Sequence, residues 1–118
     1  AGIVGMGMAS ELAALHLPMM AASIAPLRDR LEAGLCAIAG TRVMGGQQPR
    51  TPNTLNIAFE FIEGEAILLM LNQVGIAASS GSACTSGSLE PSHVMRAMDI
   101  PYTAAHGSIR FSLSRYTR

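Results

Sequence analysis

The sequence predicts an α/β chain, a small sandwich of helices packed on a sheet. Three observations carry that expectation. Two runs, LNIAFEF (55–61) and SIRFSLS (108–114), alternate apolar and polar residues with the period of a half-buried strand. Between and before them lie segments whose apolar residues recur at three- and four-residue steps, the period of a helix. The chain has 118 residues, 49% of them hydrophobic and 14% charged, enough apolar side chain for one core and too little charge for a disordered chain. Helices first and then strand and helix in alternation leave layers of helix on sheet as the simplest way to bury both apolar faces.

Residues 3–17 are rich in Met, Ala and Leu and read as helix, with Pro18 marking a break or the first turn of a second helix. From Ser23 the pattern sharpens: Ile24, Leu27, Leu31, Leu35 and Ile38 fall on one helical face. Ser23 is placed to cap this helix, Arg28 and Glu32 to pair across one turn, and Gly40 to end it. GGQQPRTPNT (45–54) is a loop by its Gly and Pro content. In the first strand Leu55, Ile57, Phe59 and Phe61 face the core. EGEAILLMLNQVG then reads as a helix, with Glu63 and Glu65 at its positive end and Gly75 at its C-cap. It is apolar almost all round, so it is expected to be buried. IAA (76–78) reads as a short strand, and PSHVMRAM (91–98) as a helix opened by Pro91. In the last strand Ile109, Phe111 and Leu113 point one way, and Ser108, Arg110, Ser112 and Ser114 the other.

Composition narrows the function. The net charge is zero and aromatic residues are 4%, so neither a basic field nor a stacking platform argues for nucleic acid or an anionic membrane. No stretch is expected to be long and apolar enough to cross a bilayer, and the N-terminus lacks the pattern of a signal peptide. With two cysteines and no export signal, free thiols in a reducing, cytoplasmic compartment are expected. All eight basic residues are arginines, so a Schiff base to an internal lysine cannot form. Both ends read as cut, and a fragment or excised domain is expected.

Chemistry gathers at SSGSACTSGSLEPSHV (79–94). Cys84 sits among serines, glycines and a threonine that cannot build a core, so residues 79–91 read as a flexible, exposed loop. Such a thiol is either a nucleophile carried on a mobile arm or a surface cysteine without a role; the dipole of the helix opening at Pro91 would favour its thiolate. Cys36, inside a helix beside Leu35, reads as packed. His16, His93, His106 and the cysteines match no zinc spacing. A Cys–His hydrolase pair with His93 or His106 as base is a rival reading. Arg110 leaves its strand on the side away from the core, where it would grip a carboxylate through both nitrogens or form an ordinary surface ion pair.

SSGSACTSGSLEPSHVMRAM, followed by HGSIRFSLSRYT, closely resembles the class I cysteine desulfurases, nearest the branch associated with nitrogen fixation. GIVGMGMASELA, LRDRLE and PNTLNIAFEFIEGEAILLMLN resemble the same family, so the likeness spans nearly the whole chain. It implies a pyridoxal-phosphate enzyme of the aminotransferase-like fold, acting as a homodimer that moves sulfur from L-cysteine to a cysteine persulfide and releases L-alanine. It implies that Cys84 carries the persulfide and that Arg110 binds the substrate carboxylate. It also implies an iron–sulfur scaffold protein as sulfur acceptor, with at most a transient contact between Cys84 and a nascent cluster. Residues 1–118 would be the family's C-terminal small domain, a short and mostly antiparallel sheet packed with helices, entered through a helical segment at 1–22. The cofactor domain with its lysine, and the final helices, would lie outside it, leaving the fragment inactive alone. A cofactor-free thiol enzyme, hydrolase or sulfurtransferase, and a non-enzymatic docking module are the competing functions.

Overall fold

The computed structural model describes residues 1–80 and 92–118. Its elements run α1 (Gly2–Cys36), β1 (Thr41–Val43), β2 (Thr54–Phe59), α2 (Gly64–Gln73), α3 (His93–Ala97), α4 (Tyr102–Ala105) and β3 (Ser108–Ser112). The strands form one antiparallel sheet in the order β1-β2-β3. The two strongly alternating segments of the sequence are therefore direct neighbours, with β2 in the middle. Leu55, Ile57 and Ile109 have no exposed surface, and Ile24 of α1 and Ala104 of α4 close over them. This is the helix-on-sheet packing that the two periodicities predicted.

Helix α1 departs from expectation. It runs unbroken for 35 residues through both Pro18 and Pro26, a length of about 52 Å at 1.5 Å per residue. A proline inside a helix frees the carbonyl four residues earlier; here those carbonyls belong to Ala14 and Ala22, both exposed, so water can take them. The surrounding Ala, Leu and Met residues favour helix strongly enough to carry it through. Ser23 is accordingly no cap: its hydroxyl donates back to the Met19 carbonyl at 2.8 Å, as Ser10 does to Met6. An uninterrupted α1 also overturns the expectation about membranes, because by length and composition Gly2–Cys36 could cross one. A helix broken at Pro18 would leave neither part both long and apolar enough to do so. The second half of α1 is nonetheless a sheet-packing helix, with Ile24 and Arg28 buried.

Ion pairs fasten that half, with partners other than those expected. Arg28 pairs with its neighbour Asp29 at 2.6 Å and donates to the Thr51 carbonyl at 2.9 Å. Glu32 pairs instead with Arg50 at 2.6 Å. The sequence spacing i,i+4 permits an Arg28–Glu32 pair, but the loop before β2 brings a better-placed carbonyl and a second guanidinium to the same face. Cys36, expected to be packed, is exposed at the end of α1, off the buried stripe.

The connections around β2 rest on glycine. Phe61 was expected to continue the strand; it is instead 83% exposed, at φ 64°, where the chain leaves the sheet. Gly107 faces this turn so closely that a Cβ there would collide with the Phe59 carbonyl and lie 2.7 Å from that of Ile62. Gly64 starts α2 against the His106 carbonyl, which accepts its N–H at 3.0 Å. Gly75 ends the helix at φ 78°, as expected of a left-handed C-cap. The expected burial of α2 does not hold in this chain: Leu69 and Met70 are 67% and 70% exposed. Residues 76–78 are not a strand; a single bridge at Ser79 follows them. In a full-length protein containing this segment, Gly107→Ala should lower stability by about 3 kcal/mol, since backbone and not a yielding side chain meets the new methyl. Gly34→Ala, with open space around it in α1, should instead stabilise by roughly 0.5–1 kcal/mol. Paired thermal melts would check both.

Candidate functional site

Arg110 lies in the middle of β3 with its side chain exposed, between buried Ile109 and half-buried Phe111. The alternation read from the sequence therefore puts Arg110 on the sheet's polar face. Residues of β2 and β3 pair so that Asn56 is opposite Arg110, Thr54 opposite Ser112 and Ala58 opposite Ser108. Directly opposed residues in an antiparallel pair share a face, so Thr54, Asn56, Ser108, Arg110 and Ser112 form one polar surface. Ser108 donates its hydroxyl proton to Asn56 Oδ1 at 2.8 Å.

The backbone of Arg110 makes the second contact of the site, one that no side-chain pattern announces. Ser79 N–H donates to the Arg110 carbonyl at 3.1 Å, and Arg110 N–H donates back to the Ser79 carbonyl at 2.6 Å. This antiparallel bridge ties the strand carrying Arg110 to a residue five positions before Cys84 in the sequence. Cys84 itself, and with it the expected thiol site, the loop 81–91 and any iron–sulfur contact, lies outside the described residues. A chain of five residues extends at most about 18 Å, the covalent length between Ser79 and Cys84.

The histidines are placed separately. His93 is the exposed first residue of α3. His106 is held in the turn before β3: its ring lies 4.1 Å from that of Tyr102, and Nδ1 is 3.5 Å from Glu63 Oε2. Those contacts account for His106 as a brace between α4 and the start of α2. A cavity of 490 Å³, lined by Glu32, Val43 and residues 45–48, opens at the β1 edge, across the sheet from Arg110. For pyridoxal phosphate the donor set does not fit: with no lysine anywhere in the sequence, these residues offer no amine to hold it.

The arrangement is that of an exposed arginine on the polar face of a sheet, bridged through its backbone to Ser79. The whole chain, residues 1–118, matches the aminotransferase class-V family, and the chain belongs to that family. Within it the likeness is to the nitrogen-fixation type of cysteine desulfurase. The chain is 77% identical over its full length to a cysteine desulfurase of Enterobacter agglomerans, and 66% identical over 99% of its length to cysteine desulfurase NifS of Azotobacter vinelandii. It spans 29% of the length of each. Among solved structures, a NifS-like protein from Rickettsia africae superposes with a TM-score of 0.81 at 28% identity, over 98% of this chain and 29% of that one. Another NifS-like protein gives 0.80 at 32% identity, over 99% and 29%. The resemblance read from the sequence and the aminotransferase-like fold are thus both established.

If the Ser79 bridge anchors Arg110, Ser79→Pro should expose the Arg110 amide. Proline removes the Ser79 donor and fixes a φ unsuited to the bridge. Hydrogen exchange at Arg110, followed in the full-length protein, should accelerate roughly tenfold, the loss of about one hydrogen bond. Ser79→Ala, which keeps the backbone pair, should leave the rate unchanged.

Proposed function

We propose that this chain is the sulfur-accepting part of a cysteine desulfurase, and that the longer protein transfers sulfur from L-cysteine to Cys84 and releases L-alanine. One observation carries the reading: Arg110, on the polar face of β3, shares an antiparallel bridge with the residue from which the Cys84 segment departs. Substrate grip and sulfur acceptor are then rooted on the same strand pair, as the transfer requires.

The roles divide by chemistry. The Arg110 guanidinium presents a planar pair of N–H donors that matches a carboxylate. It holds the substrate by the end remote from its thiol. Cys84, as thiolate, attacks the substrate sulfur, so that a sulfur–sulfur bond forms as the substrate's carbon–sulfur bond breaks. The carbon skeleton leaves as alanine. Pyridoxal phosphate, carried outside these 118 residues, supplies the electron sink that the family's chemistry uses; the chain alone, without a lysine, is inactive. The acceptor of the persulfide in this reading is an iron–sulfur scaffold, as the family resemblance implies, with a cluster touched by Cys84 only in passing. We place the reaction in the cytoplasm, in a homodimer.

Alanine and sulfide release from L-cysteine by the full-length protein, loaded with pyridoxal phosphate, tests this. Cys84→Ala should abolish persulfide formation, a loss of at least a hundredfold, whereas replacing the exposed Cys36 of α1 should not. Arg110→Ala should raise KM for L-cysteine roughly ten- to a hundredfold, the worth of a charge-assisted bond to a carboxylate. Normal turnover by a folded Cys84→Ala protein would remove the reading.

A further inference from the structure

The register of the sheet draws attention to Asn56. In an antiparallel pair, opposed residues alternate between those that exchange backbone hydrogen bonds and those that do not. Phe59 N–H donates to Gly107 at 3.0 Å and Leu113 N–H to Asn53 at 2.8 Å, so the odd-numbered pairs are the hydrogen-bonded ones. Asn56 and Arg110 are then a non-hydrogen-bonded pair, whose Cα atoms are about 4.5 Å apart and whose side chains lie closest. Their outward-turned backbones agree: the Asn56 carbonyl accepts from Met44 N–H at 2.9 Å on the β1 side, and Arg110 bonds to Ser79 on the other. Only side chains meet between them.

The Asn56 amide is also oriented. Its Oδ1 is taken by the hydroxyl of Ser108, a residue only 4% exposed. With the oxygen engaged by that buried hydroxyl, Nδ2 is the part of the half-buried amide left to serve another partner on the face it shares with Arg110. Among the described residues Nδ2 donates to none. A carboxylate has about four lone-pair sites, and a bidentate arginine uses two. The arrangement leaves room for one further donor beside the guanidinium.

We propose that Asn56 donates through Nδ2 to the same substrate carboxylate that Arg110 binds, and that Ser108 is the positioning residue that orients the amide. This rests on the reading of Arg110 as the carboxylate-binding residue. It makes Asn56 a determinant of selectivity for amino acids over amines that lack the carboxylate. A purely structural Asn56 would affect stability and would not distinguish such ligands.

The test compares KM for L-cysteine with the inhibition constant of cysteamine, which has the amine and thiol but no carboxylate, in the full-length, cofactor-loaded protein. Two variants guard against an orphaned buried hydroxyl: Asn56→Leu alone, and Asn56→Leu with Ser108→Ala, which removes both partners together. Expected is a five- to tenfold rise in KM for L-cysteine in both, falling on KM and not on kcat, with cysteamine inhibition within twofold of normal. Ser108→Ala alone should give a smaller rise. If KM stays within twofold in both Asn56 variants while Arg110→Ala raises it, the inference falls and the Arg110 reading stands. If Arg110→Ala also leaves KM unchanged, both fall. An equal loss of cysteamine binding would mean a general collapse of the site and would overturn the proposal too.

Discussion

The close approach of Gly107 to the Phe59 carbonyl is the constraint on which the rest depends. It fixes where β3 meets β2, and strand register decides which face every later side chain takes; a slip of one residue would exchange the faces. With that register set, Ile57 and Ile109 lie against each other in the core, and Asn56 and Arg110 oppose each other on the polar side. The same close approach turns the chain out at Phe61 and leads it into α2 through Gly64, whose N–H is held by the His106 carbonyl. A turn that looks like mere connection therefore determines both the core and the site.

Much of this was legible because it follows from local period. The alternation of Leu55, Ile57, Ile109 and Phe111 gave two strands and their buried faces, and it turned Arg110 outward before any neighbour was known. Gly75 was legible as a C-cap because its requirement is local too. The failures share another origin. β1 has three residues and α4 four, too short to display a period. Pro18 looked like a stop because the sequence shows the lost hydrogen bond but not that the freed carbonyl faces water. Arg28 and Glu32 had suitable spacing, yet Thr51 and Arg50, brought in by the fold, outcompeted them. The Ser79–Arg110 bridge is made wholly of backbone groups, which every residue but proline carries, so no side-chain pattern announces it.

The same logic explains α2. A helix apolar on all sides is expected to be buried, yet in this chain Leu69 and Met70 face outward, as do Ile3, Val4 and Leu15 along the first half of α1. Composition reports the total apolar surface and not what covers it. The exposed apolar side chains of α2 and of the first half of α1 are therefore a property of arrangement, which composition alone does not carry. The half of α1 that does meet the sheet is held differently, by Arg28 reaching to the Thr51 carbonyl of the loop before β2 and by Arg50 of that loop reaching back to Glu32. These contacts tie the second half of α1 to the sheet, while most of its first half is exposed among the described residues.

Arg110 shows how a residue's backbone and side chain can be engaged independently. Its peptide groups are turned within the plane of the sheet, to Ser79, while its side chain stands off the plane beside Asn56. In a strand these directions are perpendicular, so anchoring the backbone does not compromise the guanidinium. The bridge to Ser79 also costs little specificity, since any residue except proline at that position can make it. An antiparallel bridge at Ser79, five residues before Cys84 in the sequence, fixes the described chain at the strand that carries Arg110. On the proposed reading, that strand pair would hold the substrate carboxylate through the side chains of Arg110 and Asn56, while its backbone groups stay engaged within the sheet.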